Sequence, residues 1–166
     1  MSSLEAAQFA GSLLGVLTAD RVLGGLLRHA SINYIVTVPG SGGPAAAFWA
    51  EYLISGVLMG AVLFFSSNKS RSRHTGWVAG GLIAFYVTFE APLSGMSMNP
   101  ARTFGSAVPA HLWSAWWVYW TAPLLGMLTA GEIYRIRTRA GSLPVAACQQ
   151  GSNRRHTLDF ERPHGC

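Results

Sequence analysis

A long stretch almost free of charge constrains this chain more than any other feature. From Thr75 to Gly131 the only Asp, Glu, Lys or Arg residues are Glu90 and Arg102. Of all 166 residues, 50% are hydrophobic and 11% are charged, whereas roughly a quarter of an average soluble domain is charged. The stretch is typical of a chain that lies in a lipid bilayer, and a soluble enzyme of ordinary surface chemistry is not expected.

Four apolar runs predict membrane-spanning helices, since about 20 helical residues cross a bilayer core of about 30 Å. The first run is interrupted by Asp20 and Arg21, so that its clean part is short. The second contains one charge, Glu51, and the third is expected to end near Glu90. The runs cover residues 6–27, 45–65, 76–89 and 112–131. We expect an all-α integral membrane protein with about four transmembrane helices.

The basic residues of the loops predict the orientation. Lys69, Arg71 and Arg73 lie between the second and third runs, and further arginines follow the fourth run. Cytoplasmic loops of membrane proteins carry an excess of Lys and Arg. Both segments are therefore expected in the cytoplasm, with the connections 28–44 and 93–111 outside. The net charge of +5 is interpreted as a sign of membrane orientation, and no nucleic-acid partner is expected.

The end of the chain differs from the rest in composition. After Arg139, Gly, Ser, Gln, Asn and Arg are common and no apolar periodicity is present. Such a composition favours disorder. The interpretation is a membrane channel domain at residues 1–137 and a disordered cytoplasmic tail at residues 138–166, with the cell membrane as the expected location.

Glycines spaced four residues apart predict close helix packing. In lipid, small residues allow helix backbones to approach closely enough for dispersion contacts. Glycine is also common in membrane helices for other reasons, which leaves a second interpretation for any one pair. The pairs are Gly11 with Gly15, Gly56 with Gly60, and Gly76 with Gly80.

The outside segment 93–109 is too apolar for an ordinary exposed loop. Asn99 is a favoured N-cap and Pro100 is favoured at the first helical position. Ala101 to about Val108 are then expected to form two turns that end at Pro109. Two turns rise about 12 Å, which is too short to cross a bilayer. A re-entrant half-helix is predicted, which must be buried in protein or line a wet cavity.

The same segment resembles a family motif. It contains Gly95-x-Ser97-x-Asn99-Pro100-Ala101-Arg102-x-Phe104-Gly105, which is similar to the second signature loop of the aquaporins, the major intrinsic protein family. The flanking runs resemble the family's third to sixth spans in order: Ala6-Ala7-Gln8-x-x-Gly11, Ala50-Glu51, residues 76–92, and Trp117-Val118-Tyr119-Trp120 with Pro123 and Gly126. The resemblance covers roughly residues 6–135. No counterpart of the family's first two spans and first signature loop is found, so that a truncated inverted repeat is implied.

Physical arguments connect Asn99 and Arg102 with selectivity. A helix N-terminus carries about half a positive charge, and pointed at mid-membrane it repels cations and protons while it leaves neutral solutes alone. Asn99 adds an amide donor for passing water, and Arg102 adds donors and a permanent charge. Two other interpretations stay open: Asn99 as a purely structural N-cap, and Arg102 as an ion-pair partner of Glu90 or a snorkelling surface residue.

The resemblance implies further roles. Pro100 and Ala101 line the pore with Asn99 and Arg102, and Val87 and Met96 fall at neighbouring filter positions. Valine cannot donate a hydrogen bond, so that the filter is more apolar than in strict water channels.

Three more residues take roles from the same resemblance. Thr103 occupies a position where glycerol-conducting members usually have aspartate, which argues against that subgroup. Gly95 and Glu51 support the loop. Glu51 is expected to accept hydrogen bonds from the loop backbone, and a carboxylate facing a polar cavity is the alternative.

The leading hypothesis is a passive channel for water, with other small neutral solutes left open, that excludes ions and protons. The runner-up is a non-conducting membrane fragment, or an interaction partner that needs another chain to complete the pore. A homotetramer is implied by the resemblance, and lipid is the other expected partner. Cys148 and Cys166 have no metal-ligand spacing. No metal, cofactor or enzymatic activity is expected, and a membrane-embedded enzyme using Glu51, Glu90 or a histidine is the remaining class.

Overall fold

A computed structural model describes the backbone of residues 3–159 and the side chains of residues 3–139. Within this range the secondary structure is entirely helical, which confirms the all-α prediction. The helices are α1 Ser3–Val22, α2 Gly43–Ser66, α3 Lys69–Ser72, α4 Thr75–Phe89, α5 Ala91–Ser94, α6 Pro100–Ala110 and α7 Trp116–Asp159, with 3₁₀ turns at Leu26–Arg28 and Asn33–Ile35. The chain divides into two compact units, Met1–Gly131 and Glu132–Cys166.

Helix α2 is long and apolar enough to cross a membrane by length and composition, and it is the one helix of the described residues that is. Helix α4 is apolar but has 15 residues. The other two predicted runs lie in α1 and in the first part of α7. Asp20 and Arg21 lower the mean hydropathy of α1, and tryptophan, tyrosine and glycine lower that of α7.

The helix ends follow local chemistry. Helix α1 ends at Val22, before the predicted residue 27, because Gly24 and Gly25 adopt left-handed φ angles of 62° and 81°. Helix α2 begins at Gly43, with Pro44 in its first turn, where its missing N–H costs nothing. Helix α4 ends at Phe89 with Glu90 as its C-cap, as predicted.

Helix α6 is longer than predicted. It begins at Pro100 and runs to Ala110, so that Pro109 lies inside the helix and the prediction that Pro109 ends it was wrong. Proline removes one hydrogen bond, but its fixed φ near −65° matches the helix. The chain leaves the helix at His111, which has a left-handed φ of 51°.

Two hydrophobic clusters hold the first unit together. Ala47 of α2 packs with Val118, Tyr119 and Ala122 of α7. The second cluster joins α2, α4 and the loop before α6 through Ile54, Tyr86, Met96 and Met98. Helix α6 packs mainly against α1. Helix α6 also contacts the 3₁₀ turn Asn33–Ile35.

Glycine supports close packing at fewer places than predicted. A Cβ at Gly56 would lie 3.2 Å from the carbonyl oxygen of Gly126, which places α2 against α7. Gly105 lies even closer to Ser12 of α1, where a Cβ would lie 2.9 Å from the Ser12 carbonyl carbon. A Cβ on the other members of the predicted pairs, Gly11, Gly15, Gly60, Gly76 and Gly80, would meet nothing within 4 Å. The pair prediction is therefore right at Gly56 and wrong as a general rule for this chain's internal contacts.

The second unit consists of the later part of α7. The helix runs to Asp159, whereas the sequence predicts disorder from residue 138. Adding residues to an existing helix is easier than starting one, which is why a segment without apolar periodicity can continue α7. Glu132 and Arg135 form an exposed ion pair one turn apart. Residues 160–166 of the predicted tail lie outside the described residues.

Candidate functional site

The loop before α6, residues 95–99, has an unusual backbone. Gly95, Met96 and Met98 have left-handed φ angles of 82°, 45° and 52°. For residues with a Cβ this conformation costs roughly 1–2 kcal/mol each. Such a loop persists only where its surroundings hold it in place.

Glu51 of α2 supplies the main support of this loop. Its side chain is fully buried. Oε1 accepts hydrogen bonds from the Ser97 N–H at 2.5 Å and the Ser94 hydroxyl at 2.9 Å, and Oε2 accepts one from the Met98 N–H at 2.7 Å. A buried carboxylate is tolerated when donors of this kind replace water. The charge of Glu51 therefore holds the loop backbone and does not face solvent.

Two supporting residues received no role from the sequence. The Tyr119 hydroxyl donates to the Ser94 carbonyl oxygen at 2.6 Å, and the Ser94 hydroxyl accepts from the Met96 N–H at 3.1 Å. Tyr119 is fully buried. In the sequence, Tyr119 is only a tyrosine among the tryptophans of an apolar run, which does not identify its hydrogen-bond partner.

The connection between α1 and α2, residues 23–42, also packs against the loop. A Cβ at Gly95 would lie 3.0 Å from the Val38 carbonyl oxygen and 3.1 Å from the Thr37 Cγ2. The Gly40 N–H donates to the Leu93 carbonyl oxygen at 3.0 Å. Gly95 is therefore required both by its φ angle and by the close approach of the connection.

Asn99 caps α6 and also presents an unused group. Its Oδ1 accepts the Ala101 N–H at 2.9 Å, and Pro100 follows as the first helical residue. The side chain is exposed, and its amide nitrogen has no hydrogen-bond partner among the described residues. The structural cap and a role toward a ligand are compatible, because they use different atoms of the same amide.

A cavity of about 770 Å³ opens beside Asn99. Glu5 supplies a charged group to its wall, and Gln8 and Asn99 supply polar groups. Most of its lining is apolar and comes from α1, α6 and α7, including Phe9, Phe104, Trp120 and Leu124. The N-terminal end of α6 thus points its free amide at a space large enough for small molecules or for a protein segment.

Arg102 lies one turn into α6 and is partly buried. Its Nη1 is buried and has no hydrogen-bond partner within the described part of the chain. Both Glu90 carboxylate oxygens are also buried without a partner there, so that the ion pair between Arg102 and Glu90 is not formed.

The other predicted site residues differ in how exposed they are. The side chains of Met96 and Ala101 are buried, with 6% and 2% exposure. The Val87 side chain on α4 is 53% exposed. Across the described residues no three His, Cys, Asp or Glu side chains lie close enough to hold a metal ion.

Comparison with known proteins identifies the family of this arrangement. The sequence profile described as Major intrinsic protein matches residues 4–134. Aquaporin TIP4-4 of Zea mays is 37% identical over 128 residues, which cover 70% of this chain and 50% of the relative. Aquaporin-4 of Bos taurus is 33% identical over 137 residues, which cover 78% of this chain and 40% of the relative.

The matched region holds the whole candidate site. It extends from α1 through the 95–99 loop and α6 into α7, and it includes Glu51, Asn99 and Arg102. The chain spans about half the length, or less, of the curated relatives that it matches. With a family profile covering most of its residues and relatives that are 37% and 33% identical to it over the aligned residues, the chain belongs to the major intrinsic protein family, the family of the aquaporins.

Proposed function

We propose that this chain forms part of a passive membrane channel for water and small neutral solutes that excludes ions and protons. The observation that carries the proposal is the N-terminus of α6, where the free Asn99 amide faces the cavity. The positive end of the helix dipole lies at the same place. A neutral molecule that accepts a hydrogen bond is favoured there, and a cation is repelled.

Arg102 strengthens the same selection. A guanidinium stays charged under all physiological conditions and carries five N–H donors. Its Nη1 is buried without a partner among the described residues, and Arg102 is not among the residues that line the cavity, so that its proposed contribution is the repulsion of cations by its charge. An intramembrane charge of this kind is a functional candidate, and Arg102 lies in the helix whose first residue follows Asn99.

The remaining pore positions act in different ways. Pro100 begins α6 beside Asn99. The side chains of Met96 and Ala101 are buried, and of the two only Ala101 lines the cavity. Val87 offers no donor, and Thr103 replaces the aspartate usual in glycerol-conducting members. Thr103 therefore argues against the glycerol-conducting subgroup, whereas the apolar Val87 leaves small neutral solutes besides water open.

In a membrane we propose that α1, α2, α4 and the first part of α7 span the bilayer and that α6 is a re-entrant half-helix. Large apolar side chains on the helix surfaces support this arrangement, among them Trp77, Phe89 and Leu128 with 81%, 68% and 69% exposure. The basic segment around α3 and the end of the chain then lie in the cytoplasm. Homo-oligomers are expected from the family, with the tetramer as the proposed state.

The test is osmotic shrinkage of proteoliposomes in a stopped-flow mixer. Vesicles that contain the chain should shrink faster than empty vesicles. The excess should be lost in Asn99→Asp and Arg102→Glu, because both changes place negative charge at the α6 N-terminus. Arg137→Glu, at an exposed position of α7, is the control and should keep the excess rate. No excess at verified incorporation would contradict the proposal that the chain conducts by itself.

A second candidate is a chain that conducts only with a partner chain. The cavity of about 770 Å³ beside Asn99 has room for a protein segment, and the curated relatives are at least twice as long as the matched region. This candidate predicts that the chain alone gives no excess permeability. Its vesicles should gain permeability when a protein that supplies the remaining spans is co-reconstituted.

A further inference from the structure

Three buried hydroxyl groups link the segment between α1 and α2 to the 95–99 loop. The Thr37 Oγ1 lies 3.0 Å from the Thr103 Oγ1, and this atom lies 2.5 Å from the Ser97 Oγ. The Ser97 hydroxyl donates to the Asn99 carbonyl oxygen at 3.0 Å. The three side chains are 2%, 2% and 3% exposed, so that water does not compete for these hydrogen bonds.

Proton counting fixes the direction of this hydroxyl chain. Each hydroxyl has one proton. The Ser97 proton goes to the Asn99 carbonyl, which can only accept, so that Ser97 must accept from Thr103. The proton of Thr103 is then used as well, and Thr103 must accept from Thr37. All three hydrogen bonds therefore point from Thr37 toward Asn99, and hydrogen bonds in such a row polarise one another.

The hydroxyl chain ends at the atom that begins α6. The Asn99 carbonyl oxygen also accepts the Thr103 N–H at 3.2 Å. It is the first carbonyl of the helical ladder, and it is joined to the residue whose amide faces the cavity. Its orientation therefore sets the direction in which the Asn99 amide and the first turn of α6 point.

The segment that carries Thr37 is itself tied down. At its start, Arg28 donates to Asp20 Oδ2 at 2.7 Å through Nη2 and at 2.9 Å through Nε. At its end, Gly40 bonds to Leu93. Asp20 is 2% exposed. Thr37 thus lies in a segment with one anchor before it and one after it.

We propose that Thr37 is a positioning residue, which orients the Asn99 carbonyl and the first turn of α6 through Thr103 and Ser97. The part of this inference that concerns solutes rests on the proposed channel function. The part that concerns backbone order does not. Thr103 thereby gains a structural role, because it links the segment between α1 and α2 to the loop. This role adds to its use in assigning a subgroup.

Two substitutions separate the hydroxyl from the shape of the side chain. Thr37→Val keeps the branched shape and removes the donor, and Thr37→Ser keeps the donor. Thr88→Val is the control, because the exposed Thr88 hydroxyl bonds only to the Ala84 carbonyl in its own helix. Amide hydrogen exchange of the full chain in detergent is measured for peptides that cover residues 95–104 and for peptides elsewhere.

Thr37→Val should speed exchange in residues 95–104 about fivefold, the equivalent of one lost buried hydrogen bond. Thr37→Ser and Thr88→Val should leave it unchanged. Equal exchange in Thr37→Val and the parent chain would overturn the proposal. A uniform rise over the whole chain would also overturn it, because that result would show general destabilisation. This readout does not depend on whether the chain conducts.

A permeability measurement tests the link to solutes. In proteoliposomes, Thr37→Val should lower water permeability and raise the ratio of glycerol to water permeability, and Thr37→Ser should restore both. Faster exchange with an unchanged ratio would overturn the link to selectivity. A parent chain without permeability would contradict the proposed function instead, and the exchange result would still decide the role of Thr37.

Discussion

Glu51 holds a backbone that would otherwise relax. It accepts three hydrogen bonds from Ser94, Ser97 and Met98, all in the segment around the left-handed residues. The energetic weight of such a group is large, because a buried donor that loses its partner costs about 1–3 kcal/mol. One carboxylate on α2 thus determines whether the loop before α6 has a defined shape.

Glu51→Gln should therefore destabilise the chain by about 2–3 kcal/mol. The amide oxygen can replace one carboxylate oxygen, but its NH₂ group would face a backbone N–H. Thermal unfolding in detergent measures the effect as a lower Tm. The matched control is Glu132→Gln, which removes an exposed ion pair with Arg135 and should leave the Tm nearly unchanged, because exposed ion pairs contribute little to stability. Equal losses in the two variants would refute this assignment.

Tyr119→Phe isolates a second support of the loop. It removes the hydroxyl that donates to the Ser94 carbonyl oxygen and leaves that buried carbonyl without this donor. We expect a loss of about 1–2 kcal/mol with little change in packing, since the ring remains. Tyr52→Phe serves as the comparison, because its hydroxyl bonds to Thr129 at an exposed position. The prediction fails when both variants unfold at the parent Tm.

The site could be predicted from the sequence only where local chemistry or family resemblance indicated it. The Asn99-Pro100 pair predicts a helix start by itself, and the structure has that start. Glu51 and Ser97 are 46 positions apart, so that only the resemblance connected them. Tyr119 and Thr37 could not be assigned, because their hydroxyls meet their hydrogen-bond partners only when α7 and the connection between α1 and α2 have folded against the loop.

At the scale of elements, the contact between α2 and α7 depends on two glycines. Gly56 and Gly126 bring the two backbones together, and a Cβ at Gly126 would collide with the Tyr52 carbonyl oxygen. Backbone atoms cannot move aside as the end of a flexible side chain can. The helices would have to separate, and the packing of Ala47 against Val118 and Ala122 would loosen.

Gly126→Ala should destabilise the chain by about 1–3 kcal/mol through this overpacking. Gly131→Ala in the same helix is the control. A Cβ there meets nothing within 4 Å, so that the higher helix propensity of alanine should stabilise the chain by up to about 1 kcal/mol. Unfolding of both variants in the same detergent gives the comparison. A neutral Gly126→Ala would show that α2 and α7 are not in close contact.

The elements themselves were predicted better than their ends. Each of the four apolar runs corresponds to a helix, because a run of apolar residues must be buried in protein or face lipid. The ends depended on residues whose backbone angles the sequence does not reveal. Gly24 and Gly25 stop α1, whereas Pro109 does not stop α6. Spacing alone also could not tell the packed Gly56 from the open Gly60.

At the scale of the whole molecule, the proposed orientation makes a prediction that needs no permeability. In a chain with Cys148→Ser and Cys166→Ser, Ser41→Cys tests the outer connection and Ser70→Cys tests the basic segment. Both positions are exposed. A maleimide that does not cross membranes should label the first variant in intact cells and the second only after permeabilisation. The reverse pattern would overturn the orientation.

The dependence of the 95–99 loop on Glu51 also has a consequence for the order of assembly. During synthesis α2 emerges before residues 95–99, with Glu51 already in it. The left-handed angles at Met96 and Met98 are unfavourable until that carboxylate is within reach. Helix α6 therefore cannot reach its final position on its own, and its docking must follow the formation of α2. A ribosome-bound chain that ends after Ala110 already contains every residue of this contact.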